Sequence, residues 1–443
     1  MAGGRWLSQN KVRPGAYLNF KSIPRPEITL GARGIGTIML PLSWGSQDGL
    51  IDVYSDEMTD RSSLAKVGFT AFDAESKLLG SMLSYCYLAK VRRMDAGGAA
   101  AMGSLGNIGL KAKYNGEFGN RLSVIVEEQE TDIFMVRTFV DGAEVDKQLI
   151  SDASELVSND FIVFSVLGSG VIGAGTANLA GGENGDILLN AWDDYMNVLG
   201  SSMWQTLAVT VSDVVIKKRI ADFIKDQNED QGRYVQAVFA NYNTPDHESC
   251  ISILNGFFVD EVGFSNADAT ATFAGMTAGA AVNESNTARA VNGATAIIGE
   301  LSNREIVAAL NAGHIVFTMN QSGTIKVEQD INTYRTFTEE KASEFRKNRI
   351  IRVMHTLGTD TISVWEEQFM GRVDNTPSGR GLFRANRVGY LNVLQRISAI
   401  QNFDGAVDIE VFGGDEPDAV RCEVWIQPVD SMEKLYMNVN LRT

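Results

Sequence analysis

The sequence predicts a multidomain protein that mixes α/β and α+β parts, with a small antiparallel β domain inserted in an α/β core and a strand arm at each end. Three observations carry this. At 443 residues the chain is too long for one ordinary core and suits two to four domains. Between Asn107 and Val166 short alternating runs are separated by turn dipeptides, the signature of antiparallel strands. On either side, fully apolar runs alternate with amphipathic ones, the signature of βαβ units.

The first ~30 residues read as an arm, broken by Pro14, Pro24 and Pro26 and loosened by Gly3, Gly4 and Gly15. Inside it, "AYLNFKSI" alternates, with Leu18 and Phe20 interleaved by Tyr17, Asn19 and Lys21, and predicts one short strand. Residues 31–95 form the first part of the α/β domain: strand "GIGTIMLPL", helix "AESKLLGSML" and strand "SYCYLAKVR". Residues 96–185 form the inserted β domain. Its strands "NIGLKAKYNG", "NRLSVIVEEQ", "DIFMVRTFV" and "KQLI" are punctuated by Asn115-Gly116, Gly119-Asn120 and Asp141-Gly142. A glycine-rich stretch closes it and reads as a flexible linker.

Residues 186–334 return to α/β. "GDILLNAWDDYMNVLG" predicts an amphipathic helix and "TLAVTV" a buried strand. Ser212 and Asp213 are placed to cap a helix carrying Ile216, Ile220, Phe223 and Ile224 on one face, and "YVQAVFAN" is the next strand. "DATATFAGMTAGAAVN" predicts a helix of small residues suited to close packing, and "SNREIVAALNAG" a capped helix stopped at Gly313. "HIVFTMN" and "GTIKVEQD" pair across Gln321-Ser322-Gly323. Residues 335–443 hold a long helix opening near "TEEKASEFRKNRIIRVMHTLG", a second helix "NRVGYLNVLQRISAI", and three alternating runs: Val407/Ile409/Val411, Cys422/Val424/Ile426 and Leu435/Met437/Val439/Leu441.

Composition excludes more than it proposes. A formal net charge of −16 disfavours direct nucleic-acid binding, which needs clustered Lys and Arg. Cys86, Cys250 and Cys422 and the histidines His247, His314 and His355 are scattered, so neither a metal site nor a disulfide framework is indicated. No apolar run reaches the ~18 residues that a membrane span takes, and the start lacks a signal-peptide apolar region. No catalytic constellation, cofactor motif or metal motif emerges.

One stretch imitates a cofactor motif. "FIVFSVLGSGVIGAG" carries Gly168-x-Gly170-x-x-Gly173 after a strand, the spelling of a dinucleotide loop. That loop binds a pyrophosphate because a helix starts within it. Here Gly175, Gly181, Gly182 and Gly185 follow, each costing a helix about 1 kcal/mol. The alternative of a nucleotide-binding enzyme is therefore weak, and the stretch reads as a mobile passage between domains. The last alternating run poses a separate choice. It is either a strand of the chain's own sheet or a strand donated to another subunit, since an unpaired edge invites pairing.

Six segments, in order, resemble the contractile phage tail sheath proteins of myophages, phage-tail-like bacteriocins and defective prophages, most closely the short Gram-positive prophage type. They are "NKVRPGAYLNFKSI"; "AKYNGEFGNRLSVIV" (112–126), like A-x-x-x-G-x-x-G-N-x-x-x-V; "LAGGENGD" (179–186), like L-x-G-G-x-D-G with Asn184 where Asp is usual; "TAGAAVNESNTARAVNG" with "ELSNREIVAALNAGHIVF"; "DINTYRTFTEEKASEFRKNRIIRVMH"; and "EVWIQPVDSMEKLYMNVNL". The resemblance implies an α/β sheath core and a non-enzymatic structural subunit without cofactors. Such subunits stack as hexameric rings in a helical polymer around a tail tube, in a virion or phage-tail-like particle assembled in the host bacterial cytoplasm. Contraction drives the tube through the target envelope. Implied partners are further copies, the tail tube protein, and baseplate and tail terminator proteins, with no nucleic acid and no membrane insertion. Another non-contractile shell or tube protein remains an alternative. The resemblance makes Tyr17, Leu18, Phe20, Leu435, Met437, Val439 and Leu441 candidate interface-arm residues. It also implies a tube-facing helix, for which Arg380, Arg384, Arg387 and Arg396 are the candidates in an otherwise acidic chain.

Overall fold

A computed structural model of the chain describes residues 2–4, 15–17, 33–168 and 172–442. At its centre lies a sheet of seven strands: β1 Ile35–Leu40, β2 Ile51–Tyr54, β3 Leu88–Arg93, β4 Thr206–Val209, β5 Gln236–Ala240, β6 Cys250–Ile253 and β7 His314–Ile315. Their order is β7-β6-β5-β4-β1-β3-β2. All neighbours are parallel except β2, which pairs antiparallel with β3 at the edge. Strands β4, β5 and β6 are buried at every position, which explains why their sequences are apolar runs instead of alternations: a parallel sheet is covered on both faces.

The side-chain period of two splits the sheet between two cores. Ile38, Leu40, Ala208, Val238, Ile251 and Ile253 face helices α1 (Lys77–Leu83) and α4 (Asn266–Gly279). Met39, Leu207, Val209, Ala237 and Phe239 face α2 (Ala191–Leu199) and α3 (Val214–Glu229). Helix α3 starts where Asp213 predicts, its carboxylate accepting from the Val215 and Ile216 amides at 2.7 and 3.1 Å. The small residues of α4 are needed for contact with backbone. A Cβ on Gly275 would sit 2.3 Å from the Met82 carbonyl oxygen, and one on Gly279 1.8 Å from that of Tyr85.

The inserted domain is a sandwich. One sheet has the order Ala143–Ile150, Ile133–Val140, Leu122–Glu130, Gly175–Asn178, and the other Ile162–Val166, Ile108–Ala112, Met102–Leu105. Between them lie Ile108, Leu110, Val124, Val126, Val136 and Ile162. The chain enters and leaves this domain side by side, through an antiparallel pair of Asp95–Ala96 with Asp186–Ile187.

The last part is built on helices α5 (Asn348–Val364) and α6 (Pro377–Arg396), with Val353, Tyr390, Leu391, Leu394, Ile400 and Ile409 at its core. Two short antiparallel pairs complete it: Ile409–Gly413 with Val420–Val424, and Ile400–Gln401 with Gln427–Pro428.

Several expectations change. Residues 185–190 are not helical. Asp186–Ile187 form the neck strand, and α2 begins only at Ala191. Helix α5 opens at Asn348, ten residues after the expected start, and a π turn, Trp365–Phe369, extends it. Gly358 lies within α5; a Cβ there would lie 2.2 Å from the Tyr234 ring, so the glycine lets the β5 side of the sheet approach the helix. Helix α6 begins nine residues earlier than "NRVGYLNVLQ" suggests, with Thr376 as cap and Pro377 at its first position, where a missing N–H costs nothing.

Candidate subunit interface

The third alternating run is not a strand of the chain's own sheet. Residues 429–442 form no helix or strand, and Leu435, Met437, Val439 and Leu441 are 85, 71, 72 and 91% exposed. An alternation of this kind suits burial of one face against a sheet, and among the described residues the chain's own sheets do not supply that burial. In the amino-terminal arm, Gly15–Tyr17 pairs parallel with Ala2–Gly4. Leu18 and Phe20 fall outside the described residues.

A surface with the matching need borders α5. Among the described residues, Val420–Val424 pairs only with Ile409–Gly413, so its other edge is open. Beside it runs a cleft of about 600 Å³ between this strand, α5 and the central domain, lined by Cys422, Val424 and Ile426 on one side and Met354, Leu357 and Ile362 on the other.

The four arginines of α6 do not form one outward face. Arg387 is 3% exposed; it donates to Thr361 Oγ1 at 3.1 Å and lies over the Tyr390 ring at 4.8 Å. Burial pushes its guanidinium below the ordinary arginine range. Arg384 donates to the carbonyls of Ile409 and Gly405, at 3.1 and 2.5 Å, stapling the helix to the strand that precedes the hairpin turn. Arg380 donates to Asn375 Oδ1 at 2.7 Å. Arg396 alone of the four is classed as exposed. Spacing of basic residues missed this because a guanidinium satisfies buried carbonyls as readily as an acidic surface.

The glycine stretch is corrected too. Gly168 has φ +68° after the strand Ile162–Val166, and Gly170 lies outside the described residues. The next element, Gly175–Asn178, is a strand of the sandwich, and the next helix starts at Ala191. The dinucleotide geometry requires a helix start that is not there. Nor is "LAGGENGD" a mobile passage. Asn120 and Gly182 exchange two hydrogen bonds of 2.8 Å. Asn184 Oδ1 accepts from the Glu117 amide at 3.0 Å. A Cβ on Gly182 would lie 2.5 Å from the Gly116 carbonyl oxygen, so the two glycine motifs touch through their backbones.

Beneath this contact sits a buried ion pair. Arg93 binds both oxygens of Asp95 at 2.7 Å and also donates to the carbonyls of Gly45 and Asn115. Asp95 accepts from the Gly185 amide at 2.9 Å. Burial would raise the Asp95 pKa, but Arg93 and that amide hold it below the usual carboxylate range. Trp44, from the central domain, is fully buried in the sandwich core against Tyr114 and Phe118.

Comparison with known proteins follows the same division. Residues 96–184 match the phage tail sheath protein beta-sandwich domain, residues 184–333 the phage tail sheath protein central domain, and residues 340–442 the phage tail sheath C-terminal domain. The crystal structure of a sheath tail protein from Desulfitobacterium hafniense is 35% identical, with 97% of this chain and all of the other covered at a TM-score of 0.80. The chain belongs to the phage tail sheath family. A second sheath tail protein structure, from Listeria innocua, is 28% identical at a TM-score of 0.82, covering 92% of this sheath-family chain and 95% of the other. The fold also extends to the sheath of an extracellular contractile injection system in its contracted state, with a TM-score of 0.57 at 9% identity and 98% of both chains covered.

Proposed function

We propose that the chain is the structural subunit of a contractile tail sheath. It polymerises as stacked hexameric rings around a tail tube, and contraction drives the tube through a target envelope. Assembly takes place in the host cytoplasm, with baseplate and terminator proteins closing the two ends. The observation that carries this reading is the carboxy-terminal segment, alternating in sequence and exposed, in a chain that has an open strand edge beside an apolar cleft. Each of its apolar side chains gains roughly 1.5–3 kcal/mol on full burial, and the edge supplies partners for its backbone groups. A strand donated to a neighbouring copy meets both needs, and the amino-terminal arm, through Tyr17, Leu18 and Phe20, reaches a second neighbour. The subunits then stay joined by flexible straps while their bodies slide.

Toward the tube, Arg396 is the arginine of α6 that remains available, since Arg384 and Arg387 serve the fold. No chemical step is required of the subunit, as the energy is stored at assembly.

Electron microscopy of the purified protein tests this. Tubes are expected from the full chain, and folded subunits without tubes from variants lacking residues 1–20 or 434–443. Normal tubes from both truncations would refute strand donation; a monodisperse monomer under all conditions would refute the sheath reading.

A further inference from the structure

Within the exposed tail one acidic side chain is largely covered. Met432 is fully exposed and Leu435 85% exposed, yet the Glu433 side chain between them is only 11% exposed. Its Oε1 accepts from Thr287 Oγ1 at 2.9 Å and its Oε2 from Gln329 Nε2 at 2.7 Å. Lys347 Nζ closes a direct ion pair with Oε2 and lies 3.5 Å from Asp430. Thr287 and Gln329 belong to the stretch before α5, whereas Lys347 is the residue that leads into α5. Burial would raise the Glu433 pKa, but Lys347, Gln329 and Thr287 hold it below the ordinary carboxylate range.

The contact continues inward. Thr287 Oγ1 also accepts from the Asp330 amide at 2.9 Å. Asp330 accepts from the Asn286 amide and from Asn348 Nδ2, each at 2.9 Å, and faces Arg352 at 3.5 Å with both side chains wholly buried. The tail is therefore rooted in the polar seam that joins the central domain to the carboxy-terminal helices.

We propose that Glu433 is the anchor of the donated strand: a positioning residue that fixes where residues 434–442 leave the subunit, and so how far they reach. This rests on the sheath reading above for the neighbour it serves. The geometry sets the reach. Nine residues follow the anchor up to Arg442, and a fully extended chain spans about 3.3–3.6 Å per residue, so the acceptor edge lies within about 30 Å of Glu433. Without the anchor, the last fixed backbone point is Val429, whose amide donates to Ala399 O at 3.0 Å. The strap then gains four residues, about 14 Å of slack, and its departure direction is no longer set by the central domain.

Trypsin reads the anchor directly, because Lys434 follows it. In the isolated subunit, Glu433→Ala should accelerate cleavage after Lys434 by about tenfold, since cleavage tracks the population of the released segment. The unfolding midpoint should hold. Glu433→Gln keeps an acceptor for Thr287 and loses the pairing with Lys347, so its cleavage rate should fall between the two. Under the electron microscope, Glu433→Ala tubes should be fewer and irregular in helical pitch, with Glu433→Gln again intermediate. An unchanged cleavage rate, or alanine-variant tubes with wild-type yield and pitch, would overturn the anchor. If Glu433→Ala fails to fold, Gln329→Leu and Thr287→Val replace it, and the same two readouts decide. Tubes from no version, wild type included, would overturn the sheath reading and with it the assembly role; faster cleavage in the alanine variant would then leave only the local clamp.

Discussion

Residues 179–186 and residues 434–442 are two short segments held in opposite ways. The first is hydrogen-bonded to the rest of the chain at Leu179, Ala180, Gly182, Glu183, Asn184 and Gly185, six positions within seven residues. The second has no hydrogen bond to the rest of the chain among the described residues. The first is rich in glycine and the second in large apolar side chains. The difference teaches that glycine here marks backbone in contact with backbone, not freedom, because only a missing Cβ allows the Gly116–Gly182 approach. Apolar alternation, in turn, marks a surface that will be buried, without saying by which molecule.

Five measurements would sharpen or break this contrast. The largest effect is expected at the neck, where Arg93→Met leaves Asp95 buried and unpaired; urea unfolding should show a loss of about 3–5 kcal/mol. Gly116→Ala follows. Gly116 has φ +131°, and its Cβ would meet the Ser43 carbonyl oxygen at 2.0 Å, so about 2–4 kcal/mol should be lost from strain and overlap. A neutral result at either site would mean the neck is looser than its contacts indicate. Next, Arg387→Met should cost about 1–3 kcal/mol by leaving its partners unsatisfied. Arg396→Glu should stay within ~0.5 kcal/mol while weakening attachment to purified tube in co-sedimentation. Equal stability of the two variants would return Arg387 to the surface.

Acid supplies the fourth measurement. His355 lines the cleft beside the Tyr234 ring, and burial, with Arg33 nearby, pushes its pKa down to about 3. The folded protein holds it neutral while the unfolded chain takes up a proton below about pH 6.5. Its stabilising contribution is thus full above that pH and is lost as pH falls toward 3, at up to ~1.4 kcal/mol per unit. His355→Gln should flatten this slope relative to wild type, and an unchanged slope would place the histidine in solvent. The smallest effect belongs to the tail. Leu435→Ser combined with Leu441→Ser should alter subunit stability by no more than ~0.5 kcal/mol while abolishing tubes. A clear loss of stability would mean the tail does pack on its own subunit.

Much of the fold was legible because local signals agreed with tertiary burial. Asp213 and Ser302 begin helices where their capping chemistry says, and the small residues of α4 announce its close contacts. Asn115-Gly116, Gly119-Asn120 and the glycines near 182 were legible as punctuation, but their meeting across more than 60 residues is a tertiary fact with no periodic trace. The first turns of α6 are not legible because Gly379 and Gly381 hide them. Of the candidate interface, the tail's alternation was visible. Glu433 stands in the "EVWIQPVDSMEKLYMNVNL" segment that carries the resemblance, but its role as a root was not legible, since nothing local shows that Thr287, Gln329 and Lys347 are brought to it. The arginines of α6 misled because charge in a sequence carries no direction.

The paired neck at Asp95–Ala96 and Asp186–Ile187 has a consequence for engineering. The two chain ends of the sandwich domain emerge as antiparallel neighbours, about 5 Å apart, and the seven-stranded sheet is completed by segments that flank it. The sandwich is therefore a cassette: a foreign domain with adjacent termini can be spliced in its place without re-routing the sheet, provided that it offers a socket for Trp44.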